Sequence, residues 1–287
     1  MDSLRTVMRL VRADLVKLTR YWVVVAGYGS MLGFAILGAF VAYYAERTVA
    51  VTSSSGWDFA FSLMFRYLDF GSMILFVMLC ILFAIEVSNS TIKVLLTRSV
   101  TRTELIVSKH VTAGLMTLLC VGLLWCVALC AGWYTYGLGS LTENEYVIFS
   151  SSYMCAQILI CTCFLLIPFA ALASLALMVS TFSSTMGGAI VVGLILYLLS
   201  GTLGLVPASL GVPFEWNGQE RVLPIGAVSL PGQILVPMYS LADLPTGIPI
   251  DRWWSWDIQK MTFVSVVLFS TFFCVSLVAV RKRDFTL

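Results

Sequence analysis

The residues best suited to chemistry gather in one polar segment between two apolar runs: Glu86-Val-Ser-Asn-Ser-Thr-Ile-Lys-Val-Leu-Leu-Thr-Arg-Ser-Val-Thr-Arg-Thr-Glu-Leu-Ile-Val-Ser-Lys109. The chemistry on offer is ion pairing and docking. Glu86 reads either as a first-turn acid favourable to a helix macrodipole, or as the partner of Lys109 or Arg102, closing the angle between the flanking helices. Leu95 and Leu96, set among Lys93, Arg98 and Arg102, form an apolar anchor with a charged rim, the pattern of a helix that docks in a groove. The same three cations also suit a basic flank touching lipid headgroups.

Few other residues invite a catalytic reading. There is a single histidine, His110, and no H-E-x-x-H, no G-x-S-x-G and no cluster of His and acids. None of the five lysines follows a glycine, so the chain has no phosphate-binding Walker A loop. Of the eight cysteines, Cys126 and Cys130 share a helix face, whereas Cys161 and Cys163 point to different faces. They read as small apolar residues, with no disulfide framework and no metal site.

The elements that must position the polar segment are legible from charge. From Tyr146 to Phe214 the chain runs 69 residues without Asp, Glu, Lys, Arg or His. Only a bilayer solvates such a stretch, and at roughly 20 residues per span it holds two helices joined by a turn near Ser180 to Gly188. Hydrophobic residues make up 60% of the 287, and the runs are too continuous for alternating barrel strands. The expected fold is therefore an all-α integral membrane protein, with spans at about 21–45, 68–86, 110–138, 152–180, 186–206 and 260–280. The first span lacks a small-residue cleavage site and reads as a retained helix.

Twelve of the seventeen basic residues fall in the amino-terminal segment, the 87–109 loop and the carboxyl tail, five on the other side. Basic residues stay in the cytoplasm, which puts both termini and that loop inside. Residues 3–20 form an amphipathic helix suited to the inner interface: Leu4, Val7, Met8, Val11, Leu15 and Leu18 recur at helical spacing while Arg5, Arg9 and Arg12 share another face. With the second span starting near residue 68, Arg66 and Asp69 are expected at outer headgroup depth, within reach of each other. The outer loop, 207–258, holds seven of the eight prolines and should form short helices dipping into the outer leaflet. Trp253, Trp254 and Trp256 are placed to anchor the last span at that interface. Gly29 and Gly33 make a Gly-x-x-x-Gly suited to close packing, within the chain or across a dimer.

The polar segment resembles that of the permease subunits of ABC-2 type transporters. There the second span ends in an acid, followed by a small-Thr pair, a short Leu-rich helix, a turn with Arg, and a Lys opening the third span. In this chain those positions are Glu86, Ser90-Thr91, Ile92 to Leu96, Arg102 and Lys109, with Ser90 where the family often has Gly. The amphipathic basic helix and the tail Arg281-Lys282-Arg283-Asp284-Phe285 agree with the family as well.

The resemblance implies a transport subunit in the plasma membrane of a prokaryote, not an enzyme. It implies dimerisation with an identical or similar permease and coupling to two copies of a cytoplasmic ATPase that holds ATP and Mg. No cofactor is expected in this chain, and no nucleic-acid partner; membrane lipids are the remaining contacts. The coupling residues it implies are Glu86, Thr91, Lys93, Leu95, Leu96, Arg98, Arg102 and Lys109. The polar-poor spans fit export of a hydrophobic, peptide or drug-like cargo, with Tyr43, Tyr44, Thr117, Tyr134 and Tyr197 available to line a path. The competing readings are a lipid-modifying enzyme built on Asp69 and Arg66 and a carrier without an ATPase, but no internal repeat supports the latter.

Overall fold

Backbone groups in lipid must be satisfied within their own segment, and long helices dominate the chain. The computed structural model describes residues 2–49, 55–88, 100–143, 146–204, 211–216, 219–250 and 253–282. Its helices are α1 (Asp2–Arg20), α2 (Trp22–Val49), α3 (Gly56–Ser88), α4 (Arg102–Tyr136), α5 (Ser151–Phe182), α6 (Met186–Leu203), α7 (Leu230–Ala242) and α8 (Trp256–Lys282). Six of them, α2 to α6 and α8, are long and apolar enough to cross a membrane, so the all-helical, six-span expectation holds.

Local chemistry sets the helix starts. Thr101 and Glu104 form a reciprocal capping box at α4, the Thr101 side chain accepting from the Glu104 backbone and the Glu104 carboxylate from the Thr101 N–H. The Ser150, Thr185 and Ser229 side chains each accept from a first-turn N–H of α5, α6 and α7. Two short antiparallel hairpins, unread in the sequence, join the elements: β1 (Leu141–Glu143) with β2 (Tyr146–Phe149), and β3 (Gly211–Trp216) with β4 (Gln219–Pro224).

The third helix is the centre of the bundle, packed against α2, α4, α5, α6 and α7. In its most apolar stretch 67% of residues are buried, against 17% in α2 and α6 and 22% in α8. Those three therefore present most of their surface outward. Beginning at Gly56, α3 extends twelve residues before the expected start at 68. Arg66 and Asp69 lie along one exposed side with half-buried Asp58, so charge interrupts the sequence without interrupting the helix. At 1.5 Å per residue Asp69 is about 25 Å along the axis from Glu86, near the far side of a bilayer core about 30 Å thick. Among the described residues no ion pair joins Arg66 to Asp69.

Where α3 starts and α4 ends, the two backbones nearly touch. A Cβ on Gly132 would strike the Gly56 carbonyl oxygen, and one on Gly56 would strike the carbonyl oxygens of Gly132 and Gly137. By contrast, a Cβ on Gly29 or Gly33 meets nothing within 4 Å, and both face outward from α2. The Gly-x-x-x-Gly is thus not an intrachain packing motif. Gly132→Val should lower stability by about 1–3 kcal/mol or more, the range for overpacking a tight contact, while Gly33→Val leaves the monomer's thermal unfolding unchanged. Melting of the two purified variants checks both.

Candidate functional site

Helical periodicity puts Val7, Val11, Asp14 and Leu18 on one side of α1, and all four are buried. Leu4, Met8 and Leu15 flank this seam and are exposed, as are Arg5, Arg9 and Arg12 beyond them. The seam packs against the start of α4. An acid at the third position of an apolar seam needs a partner. That partner is Lys109.

The Lys109 ammonium, 2% exposed, lies 2.9 Å from Asp14 Oδ1 and 2.8 Å from Glu86 Oε1. Lys17 reaches the same Glu86 oxygen from the half-exposed rim at 3.1 Å. Two acids and two cations from α1, α3 and α4 thus form a neutral cluster. Ser180 of α5 fixes the end of α3 that carries Glu86, accepting from the backbone N–H groups of Phe83 and Ala84 at 3.2 and 2.8 Å. A cavity of about 40 Å³ opens beside the cluster, lined by Asp14, Lys17, Tyr21, Glu86 and Lys109. It is large enough for a water molecule and faces polar groups that could hold one.

On α1 the charges respond to this setting in opposite ways. Burial pushes the Asp14 carboxyl above its ordinary range, reinforced by the Glu86 charge and opposed by Lys109. For Lys17 burial pulls downward, but the Glu86 carboxylate and its hydrogen bond outweigh it and raise the ammonium.

The sequence-predicted residues separate into several groups. Glu86 and Lys109 come together, and Glu86 sits near the carboxyl end of α3, not in a first turn. Arg102 donates to the backbone carbonyls of Val280, at 3.1 Å, and Arg281, tying the start of α4 to the end of α8. Thr91, Lys93, Leu95, Leu96 and Arg98 lie outside the described residues. Trp253 is held on α5 by its Nε1–H bond to Gln157 and by stacking on Phe164, while Trp254 is exposed. Trp256 is the first residue of α8. His110 is packed edge-on against Phe273 with a ring nitrogen 2.9 Å from the Ile106 carbonyl. Asp14 and Lys17 were not singled out in the sequence. The signal for Asp14 was present, as an acid in register with Val7, Val11 and Leu18.

At the opposite end of the bundle Tyr43, Tyr44, Tyr134 and Thr135 line a cavity of about 500 Å³ with Phe40 and Phe59. The other two candidates for a path turn inward: Thr117 is buried against the Ala113 carbonyl, and Tyr197 is buried 2.7 Å from the Ser72 hydroxyl.

Fold and cluster together define a multi-pass helical membrane protein whose buried charges collect at one end. The sequence model of the ABC-2 family transporter protein matches residues 10–200, which is 191 of the 287 and includes all four cluster residues. The chain belongs to that family: it is a permease component of an ABC transporter, a transport protein that associates with an ABC ATPase. No curated protein matches it.

Removing one member of a buried ion pair strands the other, at a cost of about 3–5 kcal/mol, whereas a rim pair contributes about 1 kcal/mol or less. Lys109→Met should therefore destabilise far more than Lys17→Met in detergent unfolding. Exchanging charges through Glu86→Lys with Lys109→Glu should fail to rescue stability, because Lys17 and Asp14 would each then face a like charge. Rescue by that exchange would mean that Glu86 and Lys109 act as an isolated pair.

Proposed function

We propose that this permease subunit couples ATP hydrolysis in its partner ATPase to export of an amphipathic or hydrophobic cargo, with the Asp14–Lys109–Glu86–Lys17 cluster as the transmission. The observation that carries the reading is the buried Lys109, shared by a carboxylate on α1 and a carboxylate on α3. A push on the segment after α3 or on α1 cannot separate these helices without exposing a charge inside the protein, so displacement passes to α3 and α4 as a unit. The segment 87–109 is the natural receiver of that push, since it joins these two helices. Leu95 and Leu96 would dock in the ATPase, with Thr91, Lys93 and Arg98 at the rim.

Basic residues dominate the end of the bundle that holds the cluster, which supports a cytoplasmic setting for it, with both termini inside and α1 along the interface. The exposed Leu4, Met8 and Leu15 next to Arg5, Arg9 and Arg12 suit that placement. At the far end, the tyrosine-lined cavity joins apolar ring faces to hydroxyl groups without a charge, which fits an amphipathic molecule better than an ion. Outward-facing Gly29 and Gly33 leave α2 able to pack closely on a second permease, as a homodimer or heterodimer carrying two ATPase copies.

Changing Leu95 and Leu96 together to Asp should abolish co-purification of the ATPase with the permease. Asp14→Asn should retain the ATPase but lower cargo-stimulated hydrolysis in proteoliposomes severalfold. Stimulated hydrolysis that persists in the Leu95→Asp, Leu96→Asp protein would refute the docking assignment; full stimulation in Asp14→Asn would refute the transmission role of α1.

A further inference from the structure

The ends of α5 and α8 on the cluster side leave a groove between them of about 620 Å³, walled by Thr181, Phe182, Cys274, Val275 and Val278, with Lys282 at its mouth. The volume falls in the roughly 300–1,000 Å³ range of small-molecule sites. Its walls are almost wholly apolar, and among the described residues its only charged lining residue is a cation at the mouth. Neither the transmission cluster nor the tyrosine-lined cavity shares a residue with it.

The mouth carries more positive charge than its lining alone. Arg281 and Lys282 lie in the last turn of α8, and Arg102 arrives from α4 to bond the Val280 and Arg281 carbonyls. With those terminal carbonyls met by Arg102, the end of α8 does not need its own lysine as a cap. Both Arg281 and Lys282 are exposed, and neither has an ion-pair partner among the described residues. The acid in the first turn of α4, Glu104, is engaged by the Thr101 N–H and hydroxyl at 3.0 and 2.8 Å.

We infer that this groove is a binding site for one anionic phospholipid of the adjacent leaflet, an acyl chain lying along Phe182, Val275 and Val278 and the phosphate against Lys282, Arg281 and Arg102. The warrant is charge complementarity joined to shape: a basic pocket between helices at headgroup depth, continuous with an apolar channel of acyl-chain character, selects an anionic headgroup. Because α8 is otherwise an outward-facing span, the lipid would complete the packing of α8 on α5 next to the Arg102 tie. The site is independent of the direction in which the bundle crosses the membrane, and so of the proposed function.

Delipidated protein, titrated with phosphatidylglycerol or phosphatidylcholine and read by native mass spectrometry, tests it. The expected result is one tightly retained phosphatidylglycerol and no comparable phosphatidylcholine adduct. Lys282→Glu should weaken retention roughly tenfold or more, from loss of one headgroup attraction and gain of a repulsion. Val278→Trp, at a half-exposed position, should fill the groove and remove the adduct with the headgroup charges intact. Equal retention of both lipids would overturn the inference. So would loss in Lys282→Glu with full retention in Val278→Trp, the signature of general attraction to annular lipid. A change of oligomeric state in Val278→Trp with lipid retention unaltered would assign the groove to a second copy of the chain and overturn it equally.

Discussion

A single buried ammonium determines how the charged end of this bundle is put together. Lys109 sits inside the protein, and removing it from water costs several kcal/mol unless anions surround it. Asp14 and Glu86 supply them from two other helices, at 2.9 and 2.8 Å. The arrangement ties the amphipathic α1 to two helices that are long and apolar enough to cross the bilayer. Hydrophobic contact alone would let α1 slide along α4, because apolar surfaces are forgiving of register. A buried charge is not, and it fixes one register.

The rest of the architecture follows from α3, which is packed by neighbours on nearly every side and carries Glu86 close to its end. At the other end its first residue, Gly56, touches Gly132 of α4. The α3–α4 pair is thus held at both extremities, by backbone contact at one and by charge at the other. A rigid pair of this kind can carry motion across the bilayer's thickness, from the cluster to the tyrosine-lined cavity formed by α2, α3 and α4. The tie from Arg102 to the end of α8 brings the last span into the same framework.

Much of this was legible in the sequence, for a physical reason. Uncharged runs long enough to cross a bilayer have no other stable setting, so the spans stood out, and Glu86 with Lys109 stood out as charges bounding two of them. Where the structure departs from the sequence reading, each departure has its own physical cause. Charge along one side of a helix does not end it, which is why Arg66 and Asp69 concealed the first part of α3. Glycine spacing marks Gly29 and Gly33 for packing within the chain or across a dimer, but what a glycine permits depends on the helix that approaches it, and within the chain the close approach belongs to Gly56 and Gly132. Asp14 was hidden among basic neighbours, though its register with Val7, Val11 and Leu18 marked it as inward-facing.

Asp14 and Glu86 are joined through Lys109, and a double-mutant comparison of unfolding free energies measures that link directly. With Lys109 present, its ammonium offsets much of the burial cost that raises the Asp14 carboxyl, so Asp14→Asn should change the unfolding free energy little. In Lys109→Met, Asp14 is a stranded buried anion, so the same Asp14→Asn change should stabilise. A stabilisation that is large only once Lys109 is removed is the predicted result. Equal effects of Asp14→Asn in the two backgrounds would contradict the shared ammonium and, with it, the link between α1 and the spanning helices.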